Sequence, residues 1–264
     1  MAPRPTWKGG MGFGMVNVPV KLFTATDEKT IHFNNIHREC KTKLNQPKVC
    51  PTCKKEVETK DMVKGYEVGD NQWVFLEDSD FAAVRLKSLK AMEVLEFVDG
   101  AGIDPRHYDQ SYFVAPDEAG AKAFSLFLQA MAKVNMVGVV KLTFKTKEKL
   151  ATIRAFGKVI LLQTLFYADE LKPAQDIQVA LPEVSERELE MGMTLIKTLA
   201  SGKADMTKYH DNYREALMKV IQAKVAGEVI TVEAVPEEKP MDLVDALMAS
   251  INAEQKKKET AGVA

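Results

Sequence analysis

Trp7-Lys-Gly-Gly-Met-Gly-Phe-Gly-Met-Val-Asn-Val-Pro-Val-Lys-Leu-Phe23 is the stretch on which the fold turns. Phe13, Met15 and Val18 alternate with smaller or polar residues, and Val20 and Leu22 carry the period past Pro19. That is the pattern of a half-buried strand interrupted at an edge or bulge. Gly9, Gly10, Gly12 and Gly14 allow close backbone approach or a tight bend. The dinucleotide fingerprint fails here on spacing and context, because single residues separate Gly10, Gly12 and Gly14 and no helical period follows. The stretch therefore reads as a bent strand of a β-barrel.

Further short strands extend this reading. Trp73 to Leu76, Ala91 to Val98, Tyr112 to Ala115, Gly138 to Phe144, Leu150 to Phe156 and Val159 to Phe166 fit a barrel. One helix interrupts them, from Asp117 to about Asn135, with Ala123, Phe124, Phe127, Leu128 and Met131 as its apolar face. After Pro182 the chain changes character. Glu183 to Ala200 and Tyr209 to Val225 are helical by period and are separated by Ser201-Gly202, giving a helical arm over residues 183–226. Leu195, Ile196, Leu199, Leu217, Val220 and Ile221 supply its apolar positions. Gly227 to Pro240 reads as a mixed strand-like and acidic linker, and Leu243, Val244, Leu247, Met248 and Ile251 then fall on one stripe of a terminal helix over 240–252. The lysines at 256–258 and the last six residues read as disordered, and no internal repeat is visible. The fold class is mixed α+β, with a barrel core over 1–182, the arm over 183–226, and a linker and terminal segment over 227–264.

Net charge is only −1, which by itself argues against a polyanion partner, but its distribution reverses that argument. Residues 1–60 carry a local +6, 61–120 a local −8, 121–160 a local +7, and 161–264 a local −6. Blocks this uneven give one positive and one negative surface, the arrangement of a protein that meets phosphate on one side only. No run of 18 apolar residues occurs and Pro3, Pro5 and the glycines interrupt any leader-like stretch, so the expected location is the cytoplasm, with no membrane partner.

All 3 cysteines lie in one window with a histidine: His37-x2-Cys40, then nine residues, then Cys50-Pro-Thr-Cys53. Two such pairs can place three thiolates and one imidazole at the corners of a tetrahedron, the arithmetic of structural Zn2+. A redox pair is the competing reading, but Cys50 does not open a helix after a strand, and a second pair upstream has no redox use. Filled corners would leave zinc no open position for activating water. Around the window Arg38, Lys41, Lys43, Lys48, Lys54, Lys55 and Lys60 outnumber Glu39, Glu56 and Glu58.

A second basic ribbon runs through Lys141, Lys145, Lys147, Lys149 and Arg154. Val139, Lys141, Thr143 and Lys145 share one strand face and Val140, Leu142 and Phe144 the other. Charges on alternate residues stand about 7 Å apart, comparable with the phosphate repeat of one strand. No aromatic stacks among the lysines, since Phe144 falls on the opposite face, which favours backbone contact with duplex over base stacking. Catalysis finds no motif: His32, His107 and His210 are scattered, and there is no nucleophile elbow or Walker loop. His107 and Tyr112 read as packing or hydrogen-bonding residues of the barrel.

The ordered series of motifs resembles prokaryotic Ku. The matches are the opening stretch, Met62-Val-Lys-Gly-Tyr-Glu67, Ile103-Asp-Pro-Arg-His-Tyr-Asp109 with Tyr112 to Pro116, Tyr167-Ala-Asp-Glu170, Glu188-Leu-Glu190 and Tyr209-His-Asp-Asn-Tyr-Arg-Glu215. They come in family order and cover the chain from residue 7 to about 225. The resemblance implies a nonenzymatic homodimeric ring that threads onto double-stranded DNA ends, independently of sequence, and serves non-homologous end joining. It implies that the window at about 35–60 is a basic arch around DNA. Met241 to Ser250 resembles the segment through which bacterial Ku meets its multidomain ATP-dependent DNA ligase, so Leu243, Val244, Leu247, Met248 and Ile251 are expected to dock that enzyme. Members of the family differ at the cysteines, so the resemblance neither requires nor excludes zinc. Two rivals are a zinc-ribbon nucleic-acid-binding factor and a redox-switched holdase.

Overall fold

The computed structural model describes residues 3–69, 72–84, 91–144, 147–202, 204–227 and 243–261. The expected linker lies almost entirely outside them. The chain divides into two compact units, Met1–Asp176 and Ile177–Ala264.

The opening stretch forms a hairpin and not one bent strand. β1 (Trp7–Phe13) and β2 (Val16–Thr24) pair antiparallel from Trp7 opposite Leu22 to Phe13 opposite Val16. Gly14, at φ 60°, supplies the left-handed residue that a two-residue turn requires, and Met15 stands fully exposed at its tip. Met15 therefore belongs to the turn and drops out of the buried row, which runs Met11, Val18, Val20, Leu22.

β3 (Lys64–Gly69) and β4 (Gln72–Leu76) follow, then a short helix α1 (Asp78–Ala83) and β5 (Ala91–Val98). β6 (Tyr108–Pro116) leads into α2 (Ala121–Val134), and β7 (Val137–Phe144), β8 (Lys147–Phe156) and β9 (Val159–Leu165) complete the first unit. Seven strands close a barrel in the order β1-β2-β6-β9-β8-β7-β5, and β1 meets β5 in parallel at Gly10–Gly12 beside Ala91–Glu93. β3 and β4 form a separate two-stranded sheet, so Trp73 to Leu76, expected in the barrel, is not part of it. That stretch is a continuous apolar run, but Trp73, Val74 and Phe75 are all exposed.

Period-two alternation fills the barrel. Met11, Val18, Val20, Leu22, Met92, Val114, Val140, Leu142, Ile153, Ile160 and Leu162 are fully buried or nearly so. Each such side chain contributes about 1.5–3 kcal/mol relative to exposure. The helix α2 packs on the sheet beyond Pro116, burying Phe124 and Met131 against the core, while Phe127 stacks on Phe13 with ring centroids 3.7 Å apart. Asn135 ends it in the left-handed region at φ 53°.

The approach of α2 depends on Gly120, where an added Cβ would lie 2.7 Å from the backbone oxygen of Pro19. That oxygen is fixed, because it accepts a hydrogen bond from the Asp117 amide at 2.9 Å. Gly120→Val is expected to lower stability by about 1–3 kcal/mol, as overpacking against a rigid neighbour does. A urea midpoint unchanged from the native chain would contradict the close approach.

The second unit holds α3 (Glu186–Leu199), α4 (Asn212–Ala226) and α5 (Leu243–Ala261). Ser185 and Glu188 form a reciprocal capping box at the start of α3. The Asp211 side chain accepts from the Arg214 amide at the start of α4, and Gly227 ends it at φ 78°. The helix α5 runs on through Lys256, Lys257 and Lys258, which were expected to be disordered. It packs along α3. Met191 and Leu195 on α3 and Val244, Leu247 and Ile251 on α5 are the half-buried apolar positions at helical spacing, and they make the seam. No described residue of this unit is buried, and Ile177, Leu181, Ile196, Tyr213 and Val225 are each at least 70% exposed.

Candidate nucleic-acid interface

Between β2 and β3 the chain makes a long excursion whose order comes from two small turns. In the first, the His37 amide donates to Thr42 O, Lys41 N to His37 O and Leu44 N to Asn35 O. In the second, Cys50 N donates to Lys55 O, Lys54 N to Cys50 O and Val57 N to Lys48 O. Every donor and acceptor in the second set lies thirteen residues after its counterpart in the first. The flanking bridges, Ile36 with Lys43 and Val49 with Glu56, keep the same offset. The excursion is therefore a doubled knuckle, an internal repeat that the sequence reading passed over. Its signal was present in the His37/Cys50 and Cys40/Cys53 spacing, but the residues between the ligands share too little to align.

Each knuckle presents one ligand pair. His37 Nδ1 lies 3.1 Å from Cys40 Sγ. Hydrogen bonds from Thr42 draw the Cys40 thiol below its ordinary pKa, and hydrogen bonds from Cys53 do the same for Cys50. Three thiols and an imidazole are the donor chemistry of zinc. Among the described residues, however, no group of three or more His, Cys, Asp or Glu gathers to hold a metal. The four donors stand as two pairs, one on each knuckle, and their chemistry is that of a structural zinc site.

Arg38, Lys41 and Lys43 stand on the first knuckle and Lys48, Lys54 and Lys55 on the second, all exposed and none in an ion pair among the described residues. Lys48 Nζ approaches Met62 Sδ at 3.6 Å. Lys60 is engaged by Glu58 at 2.8 Å.

The second basic ribbon is divided by its own register. In the pairing of β7 with β8, Lys141 lies opposite Leu150 and Leu142 opposite Lys149. Directly opposed residues share a face, so Lys141 and Arg154 point to one side of the sheet and Lys147 and Lys149 to the other. Lys147 and Lys149 thus do not extend the face that carries Lys141. Lys145 lies outside the described residues. Lys141 is held by Glu148 at 2.9 Å and Lys149 by Asp109 at 3.0 Å, whereas Lys147 and Arg154 are exposed. Lys158, which the sequence reading did not select, is exposed on the turn after β8.

The Asp109 pairing belongs to a polar cluster at the start of β6 and the end of β9. Thr164 donates to Asp109 at 3.1 Å and accepts from the Gln110 amide at 3.0 Å, and Tyr112 donates to the Gln110 side chain at 2.7 Å. Burial raises the Tyr112 pKa. Nearby, Asp104 takes three contacts from the Arg106 guanidinium, which hold its carboxyl down to about 2, and His107 Nδ1 meets Phe166 O at 2.8 Å. The motif from Ile103 to Asp109 is thus a clasp, and His107 and Tyr112 have the hydrogen-bonding roles expected of them.

The expected docking stripe is split. Val244, Leu247 and Ile251 are half-buried on the side toward α3, while Leu243 and Met248 remain exposed. No helix among the described residues is long and apolar enough to cross a membrane.

Comparison with known proteins accounts for this architecture. Residues 12–191 match the family described as the Ku70/Ku80 β-barrel domain. The Non-homologous end joining protein Ku of Archaeoglobus fulgidus is 39% identical over 95% of this chain and 99% of its own length. That of Bacillus subtilis is 35% identical over 93% of this chain and 81% of its own length. That of Symbiobacterium thermophilum is 38% identical over 96% of this chain, which spans 63% of that longer relative. A seven-stranded barrel interrupted by a basic excursion and followed by helices, with relatives of this name along nearly its whole length, places the chain in the Ku family.

Proposed function

We propose that this chain binds ends of double-stranded DNA without regard to sequence, as a homodimeric ring, and brings a multidomain ATP-dependent ligase to the break in non-homologous end joining. The observation that carries the reading is the doubled knuckle, which displays six exposed cations with no ion-pair partner among the described residues. Cations free of protein carboxylates are available to phosphate, and contact with backbone phosphate carries no base information. Lys147, Arg154 and Lys158 add to the set from the barrel. Lys141 and Lys149, already paired, contribute less.

The second unit supports the dimer. Helices with no buried residue among those described and many exposed apolar side chains need a further surface to cover them, and a second copy of the chain related by a two-fold axis supplies one. Zinc belongs to the same reading. His37, Cys40, Cys50 and Cys53 would hold the ion, and its chemistry there would be structural, tying the two knuckles where no apolar core does so.

The test is topological. A ring admits DNA only through an end, so linear duplex should be retained while the same sequence as a covalently closed circle is not. Affinity should fall by about 10³ to 10⁵ between 50 and 200 mM salt if about six to ten phosphates are contacted. Equal retention of both forms would remove the ring.

A further inference from the structure

Three described residues other than glycine have positive φ: Lys41 at 54°, Lys54 at 55° and Asn135 at 53°. Asn135 is ordinary, because asparagine is common in the left-handed region where a helix ends. The lysines are not. Glycine occupies this conformation without steric cost, whereas a residue with a Cβ carries a penalty of about 1 kcal/mol or more. The two lysines occupy equivalent places, each immediately after the second ligand residue of its knuckle and each donating its amide to the first, Lys41 to His37 and Lys54 to Cys50. The same disfavoured choice has been made twice at positions thirteen residues apart.

Local structure gives no return for that cost. The amide bonds just named are backbone bonds that glycine would make equally well. Neither ammonium group has an ion-pair partner among the described residues, and both side chains are exposed. A backbone cost retained at a matched pair of positions, with no compensating contact inside the protein, is offset by something outside it.

We propose that Lys41 and Lys54 are the paired phosphate contacts of the arch, each aimed by its knuckle through the left-handed backbone, which makes the doubled knuckle a bidentate clamp on the sugar-phosphate backbone. This rests on the DNA-binding reading above and singles out two of its cations. Lys43, Lys48 and Lys55 stand on backbone with no such constraint and contribute general positive potential.

The experiment replaces both lysines by glycine in the full chain. Glycine removes the charge while relieving the backbone, so Lys41→Gly with Lys54→Gly should keep or raise the thermal midpoint and leave the metal content unchanged. Binding to linear duplex should weaken by about 60-fold at 0.1 M salt relative to 1 M, and the slope of log affinity against log salt should shrink by about 1.8, as loss of two phosphate contacts requires. Arginine at both positions should restore the slope. Lys43→Gly with Lys55→Gly is the matched control and should change the slope less. An unchanged slope in the Lys41/Lys54 glycine variant, with the native chain binding normally, would overturn the clamp alone. A drop in thermal midpoint would overturn it also, because the lysines would then be structural. A native chain that fails to bind linear duplex would remove the DNA-binding reading itself.

Discussion

Removing everything after Pro236 should abolish stimulation of the ligase while leaving linear-duplex binding and dimerisation intact. The helix α5 carries the apolar stripe proposed to meet the ligase, and the structure shows that this stripe is partly engaged. Val244, Leu247 and Ile251 lie toward α3, while Leu243 and Met248 face outward. The truncation deletes both sides, so its effect on stimulation should be complete whichever side docks. It also uncovers Met191 and Leu195, which raises the apolar exposure of the arm. End-joining assays with the purified ligase, beside light scattering and duplex retention of the truncated chain, read the three properties separately. Full stimulation by the truncated chain would remove α5 as the docking segment, and loss of the dimer would reassign α5 to assembly.

Substituting Cys50 by serine should take bound zinc from about one ion per chain to near none. Of the described residues from Ala25 to Val63, none is buried, so the excursion has no apolar core to fall back on when ligation is lost. Protease cleavage should then concentrate within residues 35–60, while the urea midpoint of the barrel stays at its native value. The barrel core draws nothing from these residues. Protein prepared without chelator and carrying no metal would reject the zinc assignment, and joint collapse of barrel and arch would reject their independence.

The barrel was legible because burial imposes a period. β5, β7, β8 and β9 were readable from alternation, and so was α2 from its apolar face. The signals that failed are those in which period and burial part company. Trp73 to Leu76 is a continuous apolar run that reads like a barrel strand but belongs to an exposed hairpin, since apolar residues in sequence do not record what covers them. The first stretch kept its period through Gly14-Met15, and only the reversal of the chain separated Met15 from the buried row. The faces of Lys147 and Lys149 were not legible for a geometric reason: only the register of β7 with β8 relates them to Lys141. The knuckles were legible as ligand spacing, but their duplication lies in hydrogen bonds and φ values, which no residue type announces apart from glycine. Lysine in the left-handed region is invisible to a reading that expects glycine there.

Barrel closure also fixes an order of events in folding. β1 lies beside β5 across Gly10 and Ala91, and β2 pairs with β6 from Val20 opposite Pro116. The N-terminal hairpin therefore has no sheet to join until some hundred later residues exist. β7, β8 and β9, by contrast, form a meander of neighbours joined by short turns. Low sequence separation makes the meander the fast part of the barrel and the hairpin the slow part. On a ribosome adding about 5–20 residues per second, the first strands wait for about 5–20 s with Met11, Val18, Val20 and Leu22 uncovered. The segment that makes the barrel recognisable is thus the one that spends longest as an aggregation hazard in the nascent chain.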